Sequence, residues 1–189
     1  MTQWLIVIFS YLLGSIPTAY IAGRLVARRD IRHMGDANAG AGNAYRELGR
    51  NAGIIVFLVD AVKGSVVIFI AQAAALTQPM VMTTGLAAVI GHNWPVYLGF
   101  RGGRGVSTTI GIMWVLITVP MLIMTIPTLL LLVLTRKVTP TLAFLFIVVP
   151  FVEWWCKTPF TVIAYALGLN MLTGITTWFR TRPKRLKMA

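Results

Sequence analysis

Acidic side chains are scarce in this sequence: five Asp and Glu stand against 17 Lys and Arg among 189 residues. So few carboxylates leave little room for paired-carboxylate catalysis or an oxygen-built metal site. Cysteine occurs once, at Cys156, which excludes an internal disulfide and a thiolate metal cluster. There is no G-x-S-x-G nucleophile motif and no H-x-x-x-x-D pair. Linkers, charge blocks, low-complexity tracts and repeats are also missing, so residues 1–189 read as a single polytopic domain.

Charge of either sign is short as well. Charged residues make up 12% of the chain and hydrophobic ones 57%, whereas a soluble domain carries roughly 25% charged residues. Such a chain cannot cover its surface with polar groups, so lipid must be part of its solvent. Its formal net charge of +12 suits cytoplasmic loops or an anionic substrate at the membrane face. It does not suit nucleic acid, because the cations fall in short clusters between apolar runs.

A helix needs about 20 apolar residues to cross the hydrocarbon core. Trp4 to Gly23 is the first such run; without a basic start or small-residue cleavage pattern it reads as a retained helix. Ala52 to Leu76 and Met80 to Phe100 follow, separated by Thr77-Gln78-Pro79. Gly105 to Thr135 is 31 residues without a charge, about 46 Å as one helix. Basic pairs flank it, Arg101 with Arg104 and Arg136 with Lys137, so an even number of crossings is expected between them. Two short helices broken at Pro120 fit best, with a re-entrant hairpin as the alternative. Thr139 to Trp154 and Pro159 to Phe179 bring the count to seven.

The expected fold class is therefore all-α integral membrane, seven transmembrane helices with the N-terminus external and the C-terminus cytoplasmic. That orientation puts 15 of the 17 basic residues inside, as the positive-inside rule requires. The inside tail holds Arg180, Arg182, Lys184, Arg185 and Lys187; Lys63 lies within a helix and Lys157 outside.

The chemistry-bearing residues concentrate at the cytoplasmic side. In the first inside loop, Asp30 to Arg46, small residues let the backbone curl so that consecutive N–H groups form an anion-binding nest around Gly40 and Gly42. Asn38 and Asn43 add amide donors, and Arg46 adds a planar fork suited to phosphate. A flexible connector would use the same glycines. Asp60 and Lys63, three apart on one helix face, would each cost about 2.5–3.5 kcal/mol at the bilayer centre. That expense points to a mutual ion pair, a shallow position or a function. The densest segment is Gly91 to Thr108: His92 at the end of a span, a glycine loop with Arg101, Gly102, Gly103, Arg104 and Gly105, then Ser107 opening a helix. A glycine turn before a helix N-terminus is a phosphate cradle; Arg104 supplies charge, and His92 can move a proton or donate a hydrogen bond.

Gly14-Ser-Ile-Pro17, the Asp30 to Arg46 loop, Asp60-Ala-Val-Lys-Gly64 and Gly91 to Thr108, taken in order, resemble the bacterial acyl-phosphate-dependent glycerol-3-phosphate acyltransferases. The resemblance implies acyl transfer from acyl phosphate to the 1-hydroxyl of glycerol 3-phosphate at the cytoplasmic face of the bacterial inner membrane, as a step of phospholipid synthesis. It implies no cofactor and no metal. Carried over, Arg46, His92 and Arg104 would be catalytic, holding or polarising the substrates. Asn38, Gly40, Gly42, Asn43, Gly102, Gly103, Gly105, Ser107 and Thr139 would line the substrate site, with Lys63 in support. Arg101, Asp60 and Asp36 carry no settled role. Asp36 stands where the family has a serine. A carboxylate about 4 Å from a phosphate charge costs on the order of 4 kcal/mol at an effective dielectric near 20, so Asp36 must be turned away, paired with an arginine, protonated, or facing another substrate group. The family's C-terminal H-R-x-N-I pattern is replaced by Arg180-Thr-Arg-Pro-Lys-Arg185. A divergent relative with another phosphorylated or acyl substrate, or a small anion transporter, are the alternative functions.

Overall fold

The computed structural model describes residues 1–181; Arg182, Lys184, Arg185 and Lys187, assigned above to the cytoplasmic tail, lie outside the described residues. Within them the regular elements are all helical. In chain order they are α1 (Thr2–Ser15), α2 (Thr18–Val26), a 3-10 turn (Ile31–His33), α3 (Ala41–Glu47), α4 (Arg50–Ala73), α5 (Gln78–Asn93), a second 3-10 turn (Val96–Leu98), α6 (Val106–Leu116), α7 (Thr118–Thr135), α8 (Val138–Trp155) and α9 (Phe160–Thr181).

Five helical stretches are long and apolar enough to cross a bilayer: Thr2–Val26, Arg50–Ala73, Thr118–Thr135, Val138–Trp155 and Phe160–Arg180. Two expected spans are shorter than the sequence suggested. α5 ends at Asn93, because Pro95 disfavours helical backbone at Trp94. The chain then turns through Val96–Leu98 to Gly99, which sits in the left-handed region at φ 59°. α6 has only 11 residues. The break in the long apolar run falls at Ile117, φ −131° and ψ 52°, and not at Pro120. Pro120 lies in the first turn of α7, where a missing N–H breaks no intrahelical bond. Pro17 does interrupt a helix, separating α1 from α2.

Burial is inverted relative to a soluble protein. Ile126, Val133, Phe151, Trp155 and Phe160 are exposed, while Ser10, Asn43, Asp60, Asn93 and Glu153 are buried. Apolar side chains outside and polar ones inside are what a lipid solvent selects. Without a hydrophobic force between helices, close packing must hold them together, and small residues permit it. A Cβ on Gly14 or Gly91 would overlap the backbone of the opposite helix in the α1–α5 pair. Gly64 and Gly111 play the same part between α4 and α6, against Thr108 and Ala61.

Three apolar clusters hold the bundle. Met113, Met121, Leu145, Val149 and Ala166 join α6, α7, α8 and α9. Val67, Ile68, Val89, Ile112 and Leu169 join α4, α5, α6 and α9. Ala19, Ile31, Ala44 and Val56 tie α2, the first loop, α3 and α4 together. The last cluster fixes the loop that carries most of the polar chemistry.

Candidate active site

Five segments converge at one end of the bundle: the Pro17 break, the loop from Asp30 to Arg46, the middle of α4, the end of α5 with its glycine loop, and the last turn of α9. Each is fixed by identifiable bonds.

The first loop is pinned by Arg32. Its backbone N–H and Nε donate to Asp30 Oδ1 at 2.9 and 3.1 Å, and its Nη2 donates to Asp30 Oδ2 at 2.7 Å. This guanidinium holds the Asp30 carboxyl below its ordinary range. Arg32 Nη1 also reaches the Leu98 carbonyl at 3.0 Å, so one residue bridges the first loop to the segment after α5. Its guanidinium also lies 5.5 Å from the centre of the Tyr20 ring.

Asn43 shapes the rest of that loop. Its Nδ2 donates to the carbonyls of Ile31, Met34 and Asn38 at 3.0–3.1 Å. Its Oδ1 accepts from the Asp36 N–H at 3.3 Å. Asn43 is fully buried, so the expectation that it offers donors to a ligand is corrected: the amide is committed to the loop's own backbone. Asn38 is also buried, and its Oδ1 has no partner among the described residues. Gly40 is the residue before α3, and Gly42 lies exposed in its first turn.

The α4 pair is a mutual ion pair. Lys63 Nζ donates to Asp60 Oδ1 at 2.7 Å, to the Ile16 carbonyl at 2.6 Å and to Thr18 Oγ1. The Thr18 hydroxyl donates to Asp60 Oδ1 at 2.8 Å. Ile16 and Thr18 are available because Pro17 interrupts the helix there and frees the Ile16 carbonyl. Asp60 and Lys63 therefore act as an internal clamp between α4 and the α1–α2 break. His92 Nδ1 stands 3.8 Å from Asp60 Oδ1, which places the imidazole beside this clamp.

Arg180, on α9, holds the glycine loop. Its Nη1 donates to the Gly102 carbonyl at 2.5 Å and to the Gly103 carbonyl, and its Nη2 donates to the Asn93 carbonyl at 2.6 Å. Thr176 Oγ1 adds a bond to the Arg104 carbonyl at 3.1 Å. Gly103 lies against His92 Nε2, where a Cβ would collide with the ring. Gly105, at φ 82°, turns the chain into α6 in a conformation that suits glycine. α6 starts directly after this glycine, with Ser107 buried in its first turn; the leading N–H groups of a helix have no intrahelical acceptor.

Asp36 proves to be paired, and doubly so. Its Oδ2 lies 2.8 Å from Arg46 Nη2 and 2.8 Å from Arg104 Nη2. The two arginines, from α3 and from the glycine loop, thus converge on a single anionic oxygen. Arg104 Nε is buried with no acceptor among the described residues. Ser15, Ile16, Thr18, Ala39, His92 and Gly103 line a narrow cleft next to this loop, with about 10 Å³ of room, enough for one water-sized group.

Two expected residues are not brought to this place. Thr139 lies exposed in the first turn of α8, and none of its side-chain bonds reaches the site among the described residues. Arg101 is exposed and forms no ion pair among the described residues. Two contributors escaped the sequence reading, Arg32 and Arg180. Neither was assigned a site role: Arg32 was one of the loop's basic residues, and Arg180 was a tail cation that opens the segment replacing the family's C-terminal pattern, and topology alone explains basic residues there.

The matching family model is that described as glycerol-3-phosphate acyltransferase, over residues 4–188. Glycerol-3-phosphate acyltransferase 4 of Dehalococcoides mccartyi is 50% identical over 182 residues, covering 96% of this chain and 98% of that protein. Glycerol-3-phosphate acyltransferase 1 of the same organism is 37% identical, covering 89% and 84%. Among solved structures, PlsY (YgiH), an integral membrane glycerol 3-phosphate acyltransferase, superposes in its glycerol 3-phosphate form with a TM-score of 0.85. The two share 30% identity, over 95% of this chain and 90% of that one. Its lysophosphatidic acid form gives a TM-score of 0.81.

Proposed function

The chain belongs to the glycerol-3-phosphate acyltransferase family, and from that membership we propose that it transfers an acyl group from acyl phosphate to the 1-hydroxyl of glycerol 3-phosphate. It is a glycerol-3-phosphate acyltransferase and a multi-pass membrane protein. The products are lysophosphatidic acid and inorganic phosphate, and the reaction takes place at the cytoplasmic face of the bacterial inner membrane. In this reading α1–α2, α4, α5, α6, α7, α8 and α9 are the seven crossings, with the N-terminus outside. The site segments then all lie on the inside.

The observation that carries the site assignment is the convergence of Arg46 and Arg104 on one anion at 2.8 Å each, beside the cleft that His92 lines. Two guanidinia on one anionic position suit a phosphate group. The Gly102 and Gly103 N–H groups are committed to the Asn93 and His92 carbonyls at 3.2 and 3.0 Å, so these glycines set the loop's path, and the start of α6 after Gly105, with Ser107, extends the anion-binding surface. Asn38, Gly40 and Gly42 shape its other wall. His92 faces the cleft and polarises the reacting carbonyl or orients the hydroxyl. The Asp60–Lys63 clamp lies beside its ring, with Asp60 Oδ1 3.8 Å from Nδ1.

The chemistry asks little of a base. An acyl phosphate is already activated. The hydroxyl oxygen of the acceptor bonds to the acyl carbon, the bond from that carbon to the phosphate oxygen breaks, and the departing phosphate takes the hydroxyl proton. Positioning and neutralisation of the phosphate charge then supply most of the acceleration. Five acidic residues in the whole chain, two of them bonded to arginine and one to Lys63, fit a reaction without a carboxylate base.

The test is phosphate release by the purified protein from palmitoyl phosphate, with and without glycerol 3-phosphate. Acceptor-dependent release with lysophosphatidic acid formed supports the reading. No release from folded protein removes it.

A further inference from the structure

Among the described residues, Asp36 is the carboxylate that Arg46 and Arg104 share, and its placement is unusual in two respects. First, a single oxygen, Oδ2, receives both guanidinia, Arg46 Nη2 and Arg104 Nη2, at 2.8 Å. These arginines come from α3 and from the loop before α6, separated by more than fifty residues of chain, so Asp36 is what they share. Second, the trio is poorly enclosed. The Asp36 side chain is 31% exposed and that of Arg46 is 53% exposed, while Arg104 is 17% exposed. An exposed ion pair contributes little to stability, so the contact is weakly held and open to exchange.

Arg104 has more to offer than this contact uses. Among the described residues its Nε is buried without an acceptor, although a guanidinium commonly meets a phosphate or carboxylate through two parallel donors. Asp36 itself is not otherwise fixed: its side chain has no partner among the described residues except these two arginines, and its backbone N–H is held separately by Asn43. The carboxylate can therefore swing away on χ1 without disturbing the loop.

Resting on the assignment of Arg46 and Arg104 as the phosphate-binding pair, we propose that Asp36 is an internal anion that occupies the phosphate position of the empty site and is displaced by the substrate phosphate. The carboxylate carries one negative charge and a phosphate monoester close to two. The arginines exchange the weaker ligand for the stronger, and Arg104 Nε then gains an acceptor. Singly charged small anions have no such advantage over Asp36, so the residue also sets which anions enter. Asp36 is thus a specificity-determining residue, and the apparent affinity for phosphate is lowered by the fraction of sites it occupies.

Asp36→Asn tests this, because it keeps the shape and removes the charge. Two readouts are needed: KM for glycerol 3-phosphate and for palmitoyl phosphate, and the inhibition constant of inorganic phosphate. KM for at least one substrate and the phosphate inhibition constant are expected to fall together, by roughly 3- to 10-fold, as the competing occupant is removed. Asp36→Glu retains the charge on a longer arm and is expected to keep the inhibition constant within about twofold of the native value. Unchanged constants in Asp36→Asn, or a rise in KM, would overturn the proposal; a rise would mean that Asp36 itself binds substrate. Arg104→Ala in the same assay separates the two levels. If it turns over normally, the phosphate assignment fails. If it is inactive while Asp36→Asn binds phosphate no better, only the displacement fails.

Discussion

The guanidinium of Arg180, at the end of α9, donates to the carbonyl oxygen of Asn93, at the end of α5, across 2.6 Å. The same side chain holds the carbonyls of Gly102 and Gly103. A loop rich in glycine has many conformations, and here a residue 77 positions later in the chain selects one of them. The glycine loop is thus set by α9.

Arg180→Ala should therefore impair turnover without unfolding the protein. Hydrogen bonds to a charged group contribute about 1.5–3 kcal/mol each, and misplacing Arg104 and His92 should lower kcat/KM roughly 10- to 100-fold. Arg180→Lys should recover only part of this, because an ammonium cannot present a planar fork to three carbonyls. The assay is acceptor-dependent phosphate release, with thermal unfolding in detergent as the control. Native turnover in Arg180→Ala would show that the loop holds its shape alone.

The Asp60–Lys63 clamp predicts an asymmetry in stability. Lys63→Met leaves the buried Asp60 carboxylate uncompensated, which costs about 3–5 kcal/mol. The thermal midpoint should drop by roughly 10 °C. Adding Asp60→Asn to that variant removes the orphaned charge and should restore most of the midpoint. Differential scanning of the single and double variants in detergent decides it. A double variant no more stable than Lys63→Met would mean that the pair matters for more than charge balance.

Helix contact makes a further prediction from two glycines. Gly111 lies against the Ala61 carbonyl, where a Cβ has no room, whereas Gly168 on α9 has nothing near it. Gly111→Ala should destabilise by about 1–3 kcal/mol through forced separation of α4 and α6. Gly168→Ala should stabilise by about 0.4–1 kcal/mol, by restricting the unfolded chain. Comparable unfolding midpoints for the two variants would contradict the close packing described for α4 and α6.

Much of this architecture was legible in the sequence, and the reasons are physical. Long apolar runs and flanking arginines mark helices in lipid because each unsatisfied polar group there is expensive. Helix ends were less legible. Pro120 looked like a break, yet Ile117 is where the helix stops, since proline is tolerated in a first turn and the sequence does not say which turn it occupies. Arg46, Arg104 and His92 stood out as candidates because charged and titratable groups beside glycine are rare in an apolar chain. Arg32 and Arg180 were missed because a basic residue next to a span already has a topological explanation. Nothing local reveals that Arg32 reaches Leu98 or that Arg180 reaches Asn93. Thr139 was drawn in by family pattern alone, and the structure leaves it on the surface.

Asn43 offers the sharpest test of how the first loop works. Three backbone carbonyls, of Ile31, Met34 and Asn38, converge on its Nδ2, while its Oδ1 accepts a single N–H from Asp36. Asn43→Asp is nearly isosteric but replaces the donor by an acceptor facing those carbonyls, in a fully buried place. Leaving such groups unsatisfied costs about 1–3 kcal/mol apiece, and more where a charge is involved. The loop should reorganise, parting Arg46 from Arg104, and acyl transfer should fall by at least about 100-fold. Asn43→Ala removes the donor without adding a charge, so it should fall less. If Asn43 instead bound substrate directly, alanine would be as damaging as aspartate, and both variants would keep native proteolytic resistance in the first loop. Activity of the pair, read with limited proteolysis between Asp30 and Arg46, separates a residue that shapes the loop from one that touches the ligand.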